Sequence, residues 1–188
     1  MKKIVKDALV LMAFSLVLGF VLGGVYKITE PIIAEATLRK EMEAYKVVFE
    51  NADTFKQIEV NTSVAEAVAA TYPDIIDKVF EAVDANGAGI GYVVQLTTKD
   101  GYAGGIVMVI GIQSDGTVNG FSITAHSETN GLGTKAFEPA YADQYKGVPA
   151  ADVAGISTLS GATFTSTAIK NGVSAAIAYV DGLVGGAQ

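Results

Sequence analysis

Between Ala8 and Val25 the chain carries no charge, and Ser15 is the single polar side chain. As a helix this run spans about 27 Å, close to the hydrocarbon thickness of a bilayer, and predicts one membrane crossing. Beyond it Thr29 suits an N-cap, Pro31 falls in the first turn, and Glu30 and Glu35 lie near the positive end. Ile33, Leu38, Met42, Tyr45 and Val48 then recur at helical spacing, predicting a second helix to about Phe49. Residues 51–72 are mixed and polar, with a short helix expected from Ser63 to Ala70.

From Lys78 the period changes to two. Val79–Val83, Ile90–Thr97, Gly104–Ile112 and Val118–Thr124 read as strands, with Tyr92, Val94 and Leu96 on one face and Ile106, Met108, Ile110 and Ile112 alternating. The dipeptides Asn86-Gly87, Asp100-Gly101 and Asp115-Gly116 separate them, which predicts an antiparallel meander of four strands. From Thr167 the positions Ile169, Val173, Ala176, Ile177 and Val180 return to helical spacing. The fold class is therefore α+β: one N-terminal transmembrane helix, then a domain with an antiparallel sheet and flanking helices. The pattern divides the chain into an anchor with its cytoplasmic start (1–28), a juxtamembrane helix (29–50) and an extracytoplasmic domain (51–188).

Charge sets the orientation. Lys2, Lys3 and Lys6 precede the apolar run, so the positive-inside rule keeps the first residues in the cytoplasm and sends the domain to the outer face of the membrane. A cleavable signal peptide begins the same way. The run is long for a signal core, however, and Gly23-Gly24-Val25-Tyr26-Lys27 lacks a small-x-small cleavage pattern, which favours an uncleaved anchor. Ser15, Gly19 and Gly23 align small residues on one face, a spacing that suits a neighbouring membrane helix and is also common in membrane helices generally.

The net charge of −7 argues against nucleic acid as a partner, because such binding draws on Lys and Arg. With no cysteine there is no disulfide, thiolate-ligated cluster, c-type haem attachment or lipobox. One histidine leaves little for a transition-metal site, and His126 has no Gly-x-Ser-x-Gly elbow to serve as a hydrolase. Asp84-Ala85-Asn86-Gly87 is too short for a calcium loop and reads as a turn. Gly104-Gly105 lacks dinucleotide-binding spacing.

Two segments carry candidate chemistry. Ser160-Gly161-Ala162-Thr163-Phe164-Thr165-Ser166 stands before the last helix, whose free N–H groups and positive dipole end suit a phosphate. Gly161 and Ala162 would let backbone approach an anion, and the hydroxyls of Thr163, Thr165 and Ser166 could donate to it; an ordinary hydroxyl-rich N-cap is the alternative. His126-Ser127-Glu128-Thr129-Asn130-Gly131-Leu132-Gly133 offers a carboxylate, two glycines and one apolar side chain that could cover a ring.

The first segment resembles the flavinylation motif of the FMN-binding domain family, Asp-x-x-Ser/Thr-Gly-Ala-Thr-x-Ser/Thr, with Ser157 where the family has Asp. The second is similar to that family's His-x-Glu-Thr-Pro-Gly-Leu-Gly loop, with Asn130 in place of Pro. The likeness runs from roughly Val79 to Val180. It implies FMN held as a phosphoester on Thr165 and installed by a flavin transferase that uses the FMN half of FAD. It further implies cofactor contacts from Ser160, Gly161, Ala162, Thr163 and Ser166, and from Glu128, Thr129, Gly131, Leu132 and Gly133 of a loop lying against the flavin; no metal and no catalytic residue beyond the flavin are implied. Within the family, the anchor, outward domain and compact length most resemble the G subunit of Rnf-type complexes. These pass electrons between ferredoxin and NAD and couple this to Na⁺ or H⁺ movement, so other membrane subunits are the expected partners. Two alternatives remain open at this point: the C subunit of the sodium-pumping NADH:quinone oxidoreductase, which is typically longer, and a flavin-free extracytoplasmic binding or sensor module.

The topology is testable directly. A reporter fused to the C-terminus should be active outside the cytoplasm, and the mature chain should keep Met1 or at least the Lys2-Lys3 start; an N-terminus near Val25 would identify a removed signal.

Overall fold

The structure is a computed structural model that describes residues 2–102 and 104–185, with backbone alone at 2, 3, 5, 31, 32, 34, 35 and 38. Met1 and the side chains of Lys2, Lys3, Pro31, Glu35 and Leu38, named above, lie outside the described residues. The chain forms two compact units, one up to Glu41 and one from Met42 onward.

Helix α1 covers Lys2–Val48 without interruption. The expected break at Thr29 is absent, and Thr29 is not an N-cap. Its hydroxyl turns back to donate to the carbonyls of Val25 at 3.0 Å and Tyr26 at 3.2 Å. Such back-bonding lets a threonine sit inside a helix with its polar group satisfied, and Ser15 does the same toward Leu11 at 3.0 Å. Lys6–Glu30 has a mean hydropathy of 2.5 and is the one helix among the described residues long and apolar enough to cross a membrane.

The second unit is built on a six-stranded antiparallel sheet with strands in chain order. These are β1 (Thr54–Ile58), β2 (Ile75–Val83), β3 (Gly89–Thr98), β4 (Ile106–Gln113), β5 (Thr117–Ala125) and β6 (Val148–Pro149). The four expected strands are β2 to β5. The start near Lys78 and the count of four are corrected by the two edge strands. β1 is short and largely exposed, and β6 is two residues ending in Pro149, so neither carries the apolar alternation that marks a buried strand. Asp84 accepts from the N–H groups of Asn86 at 2.9 Å and Ala88 at 2.8 Å, closing the expected turn between β2 and β3.

Both faces of the sheet are covered. On one, Val94, Leu96, Met108, Ile110 and Ile112 pack with α2 (Thr62–Ala69) and α4 (Thr163–Gly185), the latter burying Ile169, Val173, Ala176, Tyr179 and Val180. On the other, Ala44, Tyr45, Val48 and Phe49 at the end of α1 pack with Ala82, Val93 and Val109. Burial of alternate residues on opposite faces explains why β3 and β4 are almost continuously apolar. The Tyr45 hydroxyl donates to Gln95 Oε1 at 2.8 Å, and Asn119 Nδ2 donates to the Val48 carbonyl at 2.6 Å. Gly111 allows this helix end to lie on the strand, since a Cβ there would stand 2.9 Å from Val48 Cβ. The last turn of α1 is thus part of the domain core. Across the opposite face, the Tyr179 hydroxyl accepts the Asn61 N–H at 2.8 Å and ties the start of α2 to α4.

Helix α4 begins at Thr163, four residues before its apolar stripe predicts, so the hydroxyl-rich segment is its first turn and not a preceding loop. Between β5 and α4 the chain makes a single-turn helix α3 (Pro139–Ala142) and short 3-10 turns at Gly133–Phe137, Asp143–Tyr145 and Ala150–Gly155.

Asp74, just before β2, is 3 % exposed with neither carboxyl oxygen hydrogen-bonded among the described residues, and burial pushes its carboxyl above the usual 3.8. A carboxyl held above its unfolded value costs the folded state stability as pH rises through the carboxylate range. Asp74→Asn should therefore raise the thermal midpoint of the full chain in detergent at neutral pH, and this advantage should vanish in acid below the ordinary carboxylate pKa. An equal effect at both pH values would contradict this origin.

Candidate functional site

The site forms at the end of the sheet where β3 stops, β4 starts and β5 stops, since Thr98 pairs with Ile106 and Val107 with Ala125. Three segments meet there: the β3–β4 loop, the loop that leaves β5 at His126, and the first turn of α4. The β3–β4 loop is tied to α4 by Asn171, whose Nδ2 donates to Asp100 Oδ2 at 3.1 Å. The loop after β5 is held by its own backbone. Glu128 N–H donates to His126 Nδ1 at 3.2 Å, and the His126 ring lies 4.9 Å from that of Phe137. Gly131 turns the chain at φ +73°, and its N–H donates to Thr134 Oγ1 at 2.9 Å.

The decisive contact joins the two candidate segments. The Thr165 hydroxyl donates to Glu128 Oε2 at 2.7 Å across 37 residues of sequence, with both side chains buried. Glu128 Oε1 has no hydrogen-bond partner. Gly133 leaves the space for this pair, since a Cβ there would lie 2.8 Å from Thr165 Oγ1 and closer still to Glu128 Oε2.

Around this pair lies a cavity of about 170 Å³ lined by Tyr102, Glu128, Thr129, Leu132, Gly133, Gly161, Ala162, Thr163, Phe164 and Thr165. It therefore gathers Gly161, Ala162, Thr163 and Thr165 from one segment with Glu128, Thr129, Leu132 and Gly133 from the other. Ser160, Ser166 and Gly131 are not in its lining. Ser166 is buried, and its hydroxyl is committed: it accepts from Leu159 N–H at 3.0 Å and donates to the Thr163 carbonyl at 3.1 Å. Gly131 shapes the turn beside the cavity. The residue preceding α4 is Ala162, which has no side-chain oxygen to cap the helix. The Ser166 N–H bonds to Ala162 carbonyl at 2.9 Å, so the N–H groups of Thr163, Phe164 and Thr165 precede the helical ladder, with no backbone acceptor among the described residues.

Tyr102 and Phe164 were missed from the sequence. Both line the cavity and are 69 % exposed, with ring centroids 6.2 Å apart, and Leu132 in the same lining is 51 % exposed. Phe164 occupies a position that the motif leaves unspecified, and Tyr102 belongs to a loop brought here only by the sheet. Exposed aromatic residues next to a Gly-rich turn were the available signal.

Comparison with known proteins accounts for this arrangement. Residues 101–178 match the family model of the FMN-binding domain, which spans all three segments of the site. Over these residues the chain contains an FMN-binding domain. Residues 1–48 separately match the RnfG N-terminal region. The chain is 29 % identical over 177 residues to the G subunit of the proton-translocating ferredoxin:NAD(+) oxidoreductase complex of Clostridium ljungdahlii, covering 89 % of this chain and 86 % of that protein. It is 28 % identical to the G subunit of the ion-translocating oxidoreductase complex of Methanosarcina acetivorans, with 95 % of each chain covered. It is likewise 28 % identical to the G subunit of the Na(+)-translocating ferredoxin:NAD(+) oxidoreductase complex of Acetobacterium woodii, covering 94 % and 91 %.

The residues present fit FMN. The helix end offers N–H groups to a phosphate, a buried hydroxyl stands beside them, and Leu132, Tyr102 and Phe164 provide apolar and aromatic surface for a flat ring.

Proposed function

We propose that this chain is the electron-relaying G subunit of a membrane-bound, ion-translocating ferredoxin:NAD⁺ oxidoreductase of the Rnf type, and that it carries FMN as a phosphoester on Thr165. The observation that carries the reading is the Thr165–Glu128 hydrogen bond: it unites two family motifs in one cavity at a helix N-terminus, in a chain similar to G subunits over nearly its whole length. One of those relatives is named for protons and another for sodium, so the similarity extends to ion translocation in general.

FMN supplies exchange of electrons singly or in pairs. The chain's residues hold and place it. Thr165 provides the point of attachment, and the free N–H groups of Thr163, Phe164 and Thr165 stabilise the phosphate charge. The cavity is below the usual size of a ligand pocket. It suits the phosphate end of the cofactor, while Leu132, Tyr102 and Phe164 at its mouth shield the ring from water. With no cysteine, the chain has no thiolates for an iron–sulfur centre, and the ferredoxin and NAD sites belong to other subunits of the complex. The basic start and apolar α1 support a cytoplasmic N-terminus with the domain on the outer face. A covalent link is useful there because it keeps the cofactor's effective concentration high where a released flavin would be diluted away. A flavin transferase is the partner required for maturation.

Thr165→Ala should abolish covalent flavin and electron transfer. It should leave the domain folded but less stable by about 1–3 kcal/mol, the usual cost of leaving a buried acceptor such as Glu128 Oε2 unpaired. Tryptic mapping of the native chain should place the FMN mass on Thr165; finding it on Thr163 or Ser166, or on neither, would overturn the assignment.

The ring's position is testable separately. Leu132→Ala and Tyr102→Ala should each increase access of a soluble quencher to flavin fluorescence while leaving the covalent link in place. Unchanged quenching in both variants would put the ring elsewhere.

A further inference from the structure

Glu128 is the least conventionally satisfied group in the site. It is 6 % exposed, its Oε1 has no hydrogen-bond partner, and among the described residues no cation pairs with it. Burying a carboxyl with one oxygen unpartnered costs free energy. The neighbouring backbone makes room for it on two sides. A Cβ at Gly101 would stand 2.7 Å from Oε1, and one at Gly133 would collide with Oε2. What the arrangement achieves is a carboxyl oxygen 2.7 Å from Thr165 Oγ1, with the hydroxyl donating. That distance and polarity are those required of a general base.

The neighbouring hydroxyls are engaged differently. Ser166 donates to the Thr163 carbonyl at 3.1 Å, and Thr163 points to the Leu159 carbonyl at 3.5 Å. Of the three hydroxyls in this turn, Thr165 is the one that donates to a carboxyl oxygen. The choice of acceptor is thereby written into the geometry as well as into the motif.

We propose, resting on the reading of Thr165 as the flavin acceptor, that Glu128 is the general base for this chain's own modification. As Thr165 Oγ1 forms its bond to the FMN phosphorus of FAD, the hydroxyl proton passes to Glu128. The bond from that phosphorus to the bridging oxygen breaks, and AMP leaves with that oxygen and the bonding electron pair. Glu128 then returns the proton to water, so the hydroxyl and FAD yield the phosphoester, AMP and one proton, with no change of oxidation state. The flavin transferase binds FAD and presents it, and the acceptor protein supplies the base.

The test uses the full chain, expressed without flavin transferase and purified in detergent. It is then incubated with purified transferase, FAD and Mg²⁺. The initial rate of FMN mass gain is followed by intact-mass spectrometry, with the thermal midpoint of each unmodified protein as a control. Glu128→Gln keeps an oxygen that accepts from Thr165 and loses basicity. It should slow modification by about 10²–10⁴-fold. Gly133→Ala keeps the carboxyl but wedges a methyl group between it and the hydroxyl, and should also slow modification. A Glu128→Gln rate within a few fold of wild type would overturn the proposal. If Glu128→Gln fails to fold, Gly133→Ala decides, and a near-wild-type rate there overturns it. A wild-type chain that gains no FMN on Thr165 would instead overturn the covalent-flavin reading, and this proposal with it.

Discussion

A sheet covered on both faces has to be apolar on both, and the second unit is organised by that constraint. Met108, Ile110 and Ile112 face α4 while Val109 faces the end of α1, so β4 has no side that water could occupy. The polar and conformationally special residues are displaced to the strand ends. At one end the β3–β4 loop, the loop after β5 and the first turn of α4 come together, and that end holds the cavity. The precision of the Thr165–Glu128 contact derives from this packing. Ile169 and Val173 fix α4 on the sheet, and β5 fixes the point from which the Glu128 loop departs.

The electrostatics of the cavity follow an uncommon plan for a site read as holding a phosphate. The protein is acidic, at −7 overall, and the cavity lining contains neither Lys nor Arg. Positive potential comes from the start of α4, where three N–H groups lack helical partners and no side chain caps them. Ala162 in the N-cap position costs helix stability compared with Ser or Asp, and in exchange leaves those donors free. A buried carboxyl beside them makes sense if it acts on the threonine proton, whereas a role in binding an anion would set like charges together.

Much of this was legible in the chain. The strands β2 to β5, their order, the shared face of Val94 and Leu96 and the core stripe of α4 all followed from periodicity and turn dipeptides, because buried alternation leaves a strong local record. The two motifs were recognisable as strings. The edge strands escaped because β1 and β6 bury little and therefore need no apolar pattern. The uninterrupted α1 escaped because Thr29, Glu30 and Pro31 form a fair helix start by composition; the Thr29 hydroxyl bonds to Val25 and Tyr26 behind it, so the residue is satisfied within a continuing helix.

The sequence by itself determined the apolar span, the antiparallel meander and the helical stripe, since each is encoded by residues close together in the chain, and its likeness to a family motif singled out the candidate acceptor. Only the tertiary structure decided that Glu128 lies on Thr165, that Ser166 is committed to Leu159 and Thr163, and that Tyr102 and Phe164 line the same cavity. Those relations join segments far apart in sequence, and their distances are set by how the sheet and α4 pack. A local pattern carries no information about such distances.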